Sequence, residues 1–87
     1  MANHPKKVKL PEIVDKKLGR NKALGICYVG DGLIEIDPRQ TPLNYFKTII
    51  HELLHEAFPN MSEKEVIRVT TLIARGLWKK NFRKVSL

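Results

Sequence analysis

The sequence predicts a small α+β domain, an antiparallel β-hairpin or small sheet followed by two packed helices, and three observations carry that expectation. Residues 23–29 form a β-branched and aromatic run, and Gly30-Asp31-Gly32 separates it from residues 33–37, where Ile34 and Ile36 alternate with polar side chains. That is the pattern of two strands joined by a tight turn. Two stretches with helical spacing of apolar residues follow, at 41–58 and 62–80. The link between them, Pro59-Asn60-Met61, is so short that the helices have to form an antiparallel or steeply crossed pair.

The 87 residues fit one domain. A chain of this size buries only about 60–65% of the surface it exposes when unfolded, so a bound metal or partner would add materially to its stability. A single cysteine, Cys27, excludes an internal disulfide framework and suits a reducing compartment. No apolar h-region follows Met1-Ala2-Asn3-His4-Pro5-Lys6-Lys7, and no apolar run approaches the ~18 residues of a membrane span. The expectation is a cytoplasmic protein with no membrane partner.

The +7 net charge is unevenly spread. Residues 1–22 hold seven basic and two acidic side chains, residues 23–65 hold three and seven, and residues 66–87 hold six and none. Basic ends around an acidic middle suit anionic partners at the ends or a cation in the middle.

Taken in order, the basic segment 1–22 is ambiguous. Pro11 could open a short helix, or residues 7–10 could form an edge strand. The hairpin over 23–37 ends at Asp37-Pro38. Thr41 and Pro42 then serve as N-cap and first residue of a helix stopped by Pro59. Around this helix Phe46, Ile49, Ile50, Leu53, Leu54 and Ala57 share one arc, and Asn44, Thr48, His51 and His55 the opposite one. Ser62 and Glu65 stand at N-cap and N3 of a capping box opening the second helix, whose apolar stripe reads Val66, Val69, Ile73 and Leu77. Residues 81–87 form a basic tail.

The first helix carries His51-Glu52-Leu53-Leu54-His55, an HExxH motif. Positions i and i+4 lie about 40° apart around a helix, so both imidazoles can address one Zn²⁺ at about 2.0–2.1 Å. Glu52 sits beside such a metal and is placed to act as the catalytic base, taking a proton from a zinc-bound water and returning it to the leaving amine. A third protein ligand is needed. His4 lies in the N-terminal segment, which leaves the carboxylates Glu56, Glu63 and Glu65. Glu65 lines up with Val69, Leu72 and Gly76 on the inner border of the second helix, Glu63 falls on the other shoulder, and Glu56 points about 100° away from His55. Glu65 is the preferred ligand, although a glutamate at N3 also serves simply to reach back to its own N-cap amide.

HExxH after a short sheet, with a glutamate on the next helix, resembles the zincin metallopeptidases, specifically gluzincins. The run Glu63-Lys64-Glu65-Val66-Ile67-Arg68-Val69 is similar to the E-x-E-A-x-x-F segment of ImmA/IrrE-like peptidases, with Glu65 at the matching ligand position. The layout over 23–80 is also similar to SprT-like domains and to small zincins of phages and mobile elements, which for a phage-encoded protein would mean the host cytoplasm. SprT-like domains use a further downstream histidine, and none follows His55, which favours the gluzincin pattern. Val69 stands four residues after Glu65, where thermolysin-type enzymes have an acidic residue, and the expectation is a site without a lower subdomain. The resemblance implies a zinc-dependent peptidase whose edge strand, Leu33 to Asp37, pairs with an extended protein or peptide substrate. Tyr28 and Tyr45 are assigned to packing rather than catalysis.

A different reading comes from Trp78-Lys79-Lys80-Asn81-Phe82-Arg83-Lys84, which interleaves aromatics with cations. It makes Lys79, Lys80, Arg83 and Lys84 candidate nucleic-acid contacts of a zinc-stabilised basic or regulatory module. Set against it, cations in a last turn also complement the helix dipole.

Overall fold

The computed structural model describes residues 9–19 and 23–85. It contains β1 (Glu12–Asp15), β2 (Gly25–Tyr28), β3 (Leu33–Ile36), α1 (Pro42–Ala57) and α2 (Glu63–Lys79). The α+β architecture is the expected one, a sheet followed by two packed helices. No helix among the described residues is long and apolar enough to cross a membrane.

β2 and β3 form the hairpin, with Gly25 opposite Ile36 and Tyr28 opposite Leu33. The connecting turn is closed by the Asp31 N–H donating to the Tyr28 carbonyl at 2.9 Å, and Gly30 and Gly32 take φ of 84° and 70°. Side chains with a Cβ rarely adopt that region, so both glycines fit the turn. The sheet, however, has three strands in the order β1-β3-β2, with β1 parallel to β3. The strand expected to be an edge, Leu33 to Asp37, is therefore central, and the edges are β1 and β2. In the N-terminal segment Pro11 opens no helix; a strand follows it directly. Of the alternative strand at 7–10, Lys7 and Val8 lie outside the described residues, as does His4, and Lys9 and Leu10 are not in a strand.

Alternation places Ile34 and Ile36, both with no exposed surface, on the inner face of the central strand. Asp37, just beyond β3, ties the strand ends together. Its carboxylate accepts from the Leu18 N–H at 3.1 Å and from the Arg39 N–H, Nε and Nη2 at 2.9, 3.0 and 2.7 Å, while its own N–H donates to the Leu24 carbonyl at 2.9 Å. Hydrogen bonds from Arg39 hold this carboxyl well below the ordinary carboxylate range. An acid with a depressed folded-state pKa stabilises the fold above its unfolded value, about 3.9, and loses that contribution as pH falls further. Asp37→Asn should therefore lower the melting temperature at neutral pH, and the gap from wild type should narrow below about pH 4. A gap constant down to pH 2 would show that the charge is not what matters.

α1 packs on β2, β3 and α2, whereas among the described residues α2 packs on no strand. The layers are sheet, α1 and α2, so α1 is covered on two sides. The arc opposite the apolar one is therefore partly covered: Thr48 is buried, as are Glu52 and Leu54. α2 meets α1 along Val66, Thr70 and Ala74 rather than along the stripe Val66, Val69, Ile73 and Leu77. Ile73 and Leu77 lie at the exposed margin of that contact.

Candidate metal centre and cleft

α1 begins with the Thr41 side chain accepting from the Asn44 N–H at 3.3 Å, and Pro42 takes the first helical position, where a missing N–H costs no helical bond. It ends as the Phe58 N–H donates to the Leu54 carbonyl at 2.8 Å, one residue before Pro59. The short connection brings the first turn of α2 beside the last turns of α1. There the Ser62 hydroxyl caps α2, accepting from the Glu65 N–H at 3.2 Å.

This junction gathers His51, His55 and Glu63. Glu63 Oε1 lies 2.7 Å from His51 Nε2, Glu63 Oε2 lies 3.1 Å from His55 Nε2, and the two Nε2 atoms are 3.2 Å apart. A tetrahedral zinc with ligands at about 2.0–2.1 Å has its donor atoms about 3.3 Å from one another, so the group fits one such metal. A neutral imidazole offers a lone pair on one ring nitrogen. Lone pairs converging with a carboxylate are a metal-binding donor set.

The third member of this group is Glu63, and Glu65, the preferred ligand, is not brought to it. Glu63 precedes Val66 by three residues and so continues the Val66, Thr70, Ala74 line that faces α1. Glu65 lies about 100° off that line. Its carboxylate accepts from Arg68 Nε at 3.2 Å and Nη2 at 2.9 Å, and this pairing holds its pKa below the ordinary glutamate value. Nor does Glu65 complete the capping box; its backbone is bonded to Ser62 and its side chain to Arg68. Glu56 turns toward the sheet, where the Cys27 thiol donates to its Oε1 at 3.6 Å. Burial, and then the neighbouring Glu56, push that thiol up to about 11, away from the thiolate form that a metal takes.

Glu52, between the two histidines, is 8% exposed. Burial raises its pKa above the usual glutamate value; His51 and His55 pull it back and Glu63 raises it further. Among the described residues no hydrogen-bond donor engages its carboxylate, which lines a cavity of about 430 Å³ together with His51.

On the sheet side the cavity is lined by Leu24 and by Gly25, the first residue of β2. Because the Asp37 N–H bonds to the Leu24 carbonyl, ladder alternation makes Leu24, Ile26 and Tyr28 the residues bonded to β3. The N–H and C=O groups of Gly25 and Cys27 then point to the free edge of the sheet. Gly25 also allows the close approach of sheet and helix: a Cβ there would lie 2.7 Å from Thr48 Cγ2 and 3.0 Å from Glu52 Cγ. We expect Gly25→Ala to cost about 1–3 kcal/mol, measured as a lower urea midpoint at unchanged slope. A variant as stable as wild type would contradict the contact. Sequence reasoning passed over Gly25, although a glycine inside a strand is a signal of close backbone approach.

Tyr28 and Tyr45 are both engaged elsewhere. The Tyr28 hydroxyl donates to Glu35 at 2.8 Å on the outer sheet face, and the Tyr45 hydroxyl donates to Asp15. Burial and then Asp15 push the Tyr45 phenol up to about 12. In the tail, Arg83 Nη1 donates to the carbonyls of Trp78 and Phe82 at 2.9 and 3.0 Å, closing the end of α2. The Arg83 guanidinium stacks 3.5 Å from the Trp78 ring centroid, and Lys84 Nζ lies 5.0 Å over Tyr45. Two aromatic faces that a nucleic-acid base could use are therefore covered by the chain's own cations, while Lys79 and Lys80 are exposed. No protein-family model, no curated protein and no solved structure matches the chain.

Proposed function

We propose that the protein is a small zinc metallopeptidase of the zincin kind, with His51, His55 and Glu63 as ligands and Glu52 as the general base. The observation that carries this reading is the convergence of both Nε2 atoms and the Glu63 carboxylate within 3.2 Å of one another, beside a buried glutamate that opens onto a cleft. When bound, the metal supplies Lewis acidity toward a carbonyl oxygen and lowers the pKa of water.

The chain's own residues supply the rest. The free edge of β2 offers the groups of Gly25 and Cys27 to an extended substrate, which would join the sheet as a further strand. A substrate strand on that edge beside Gly25 would bring a scissile carbonyl to the cavity that His51 and Glu52 also line. Glu52 removes a proton from the attacking water and delivers it to the amine that leaves. Burial raises its pKa above the usual glutamate value, which favours the protonated form that the second step needs. The edge strand in this reading is β2, in place of the central β3.

The test is hydrolysis of an unstructured protein by zinc-loaded enzyme, abolished by chelation and restored by zinc. A protein that holds zinc and cleaves no extended substrate would instead support a regulatory or binding module.

A further inference from the structure

The cavity beside the metal group extends away from it, and its far end has a different chemistry. From Glu52 it runs back along α1 past Lys47 to Asn44, facing Ile67, Thr70 and Thr71 of α2. Lys47 lies about 7.5 Å along the helix axis from Glu52, and Asn44 about 12 Å, so the two ends are well separated.

Four observations make the far end attractive to an anion. Lys47 forms no ion pair among the described residues. The Thr70 hydroxyl is buried without a hydrogen-bond partner among the described residues, in a residue only 4% exposed. Its neighbours differ: Thr71 donates to the Ile67 carbonyl and Thr48 to the Asn44 carbonyl, the usual way for a helical hydroxyl to be satisfied. Finally, Asn44 belongs to the first turn of α1, which holds no acidic residue, so the positive end of the helix dipole is not neutralised there. The other charged or titratable groups on the cavity wall are His51 and Glu52, both at the metal end.

We infer that this end of the cavity binds a carboxylate, held by Lys47 with the Thr70 hydroxyl and the Asn44 side-chain amide as further partners. Joined to the peptidase reading, on which this step rests, the inference names the substrate class. Gly25 lies against Glu52, and the Cys27 thiol reaches Glu56, so β2 and α1 run in the same sense. A substrate strand antiparallel to β2 therefore sends the residue after the cut bond toward Leu24 and the cavity. That residue carries the carboxylate, either as an Asp or Glu side chain or as the chain terminus itself.

Two measurements on the zinc-loaded full chain test this. Amide shifts of Lys47, Thr70 and Thr71 are followed by NMR as N-acetyl-glutamate amide, N-acetyl-glutamine amide and N-acetyl-alanine are titrated in. A charge-assisted hydrogen bond should make a carboxylate probe bind about ten- to a hundredfold more tightly than the glutamine probe. The glutamate probe leads if side chains are the target, N-acetyl-alanine if chain termini are. Lys47→Gln should erase the preference. Equal binding of all three probes, or a preference that survives in Lys47→Gln, overturns the inference. In parallel, cleavage sites in an unstructured protein are mapped by mass spectrometry. Wild type should cut before Asp and Glu or release C-terminal residues, and Lys47→Glu should shift cutting toward Lys and Arg. Carboxylate binding without cleavage leaves the subsite standing and removes the peptidase reading. Cleavage that ignores charge does the reverse.

Discussion

Glu52→Gln is expected to keep the fold and bind zinc as wild type does, while peptide hydrolysis falls at least about 10²-fold. The substitution conserves shape, so the buried contact between Glu52 and Gly25 survives. It removes a carboxylate whose charged form burial already disfavours, so no folding energy from ionisation is lost. What disappears is the only group between His51 and His55 able to accept and return a proton. Metal content is unchanged because Glu52 is outside the group formed by His51, His55 and Glu63. Fold and metal are read by circular dichroism and elemental analysis, and hydrolysis with an unstructured substrate. Equal cleavage by both proteins would identify a contaminating protease. Loss of zinc in Glu52→Gln would place Glu52 among the ligands.

The second large effect concerns the ligands themselves. Metal that binds only the folded chain stabilises it by mass action, about 4 kcal/mol when free zinc is a thousandfold above its Kd. In a domain of this size that corresponds to a rise of roughly 15–30 °C in melting temperature. His51→Ala should abolish most of this rise. Glu63→Gln should do so substantially, since an amide is a poor substitute for a carboxylate ligand. Glu65→Gln should leave it intact and lose only the exposed pairing with Arg68. The rise should also shrink in acid, because protons compete with the metal for the imidazoles and the carboxylate.

Much of this arrangement was legible in the sequence. Local rules marked the hairpin through alternation around Gly30-Asp31-Gly32, and marked both helices through Thr41-Pro42, Ser62 and Pro59. The HExxH spacing located His51, Glu52 and His55. What escaped depends on distant pairing or on helix facing. β1 joins β3 in parallel across an intervening strand, and such pairing has no turn residues to announce it. Without β1, the central strand β3 reads as an edge. Glu65 was preferred over Glu63 because the line of α2 that meets α1 is not its most apolar line: Thr70 and Ala74 are small enough for close approach, while larger side chains such as Ile67 and Leu72 stay exposed. Hydrophobicity therefore rotated the expected inner face toward Glu65. A rule that sought small residues four apart would have selected Val66, Thr70 and Ala74, and with them Glu63. The burial of Glu52 was hidden for a related reason, since a helix covered by a sheet on one side and a helix on the other has no fully solvated face.

Zinc stoichiometry, measured by elemental analysis on tag-free wild type, Glu63→Gln and Glu65→Gln after dialysis against the same zinc buffer, tests the central claim most directly. The metal centre formed by His51, His55 and Glu63 predicts about one zinc per chain in wild type and in Glu65→Gln, and a marked deficit in Glu63→Gln. Absence of zinc from wild type, or a deficit confined to Glu65→Gln, would contradict it.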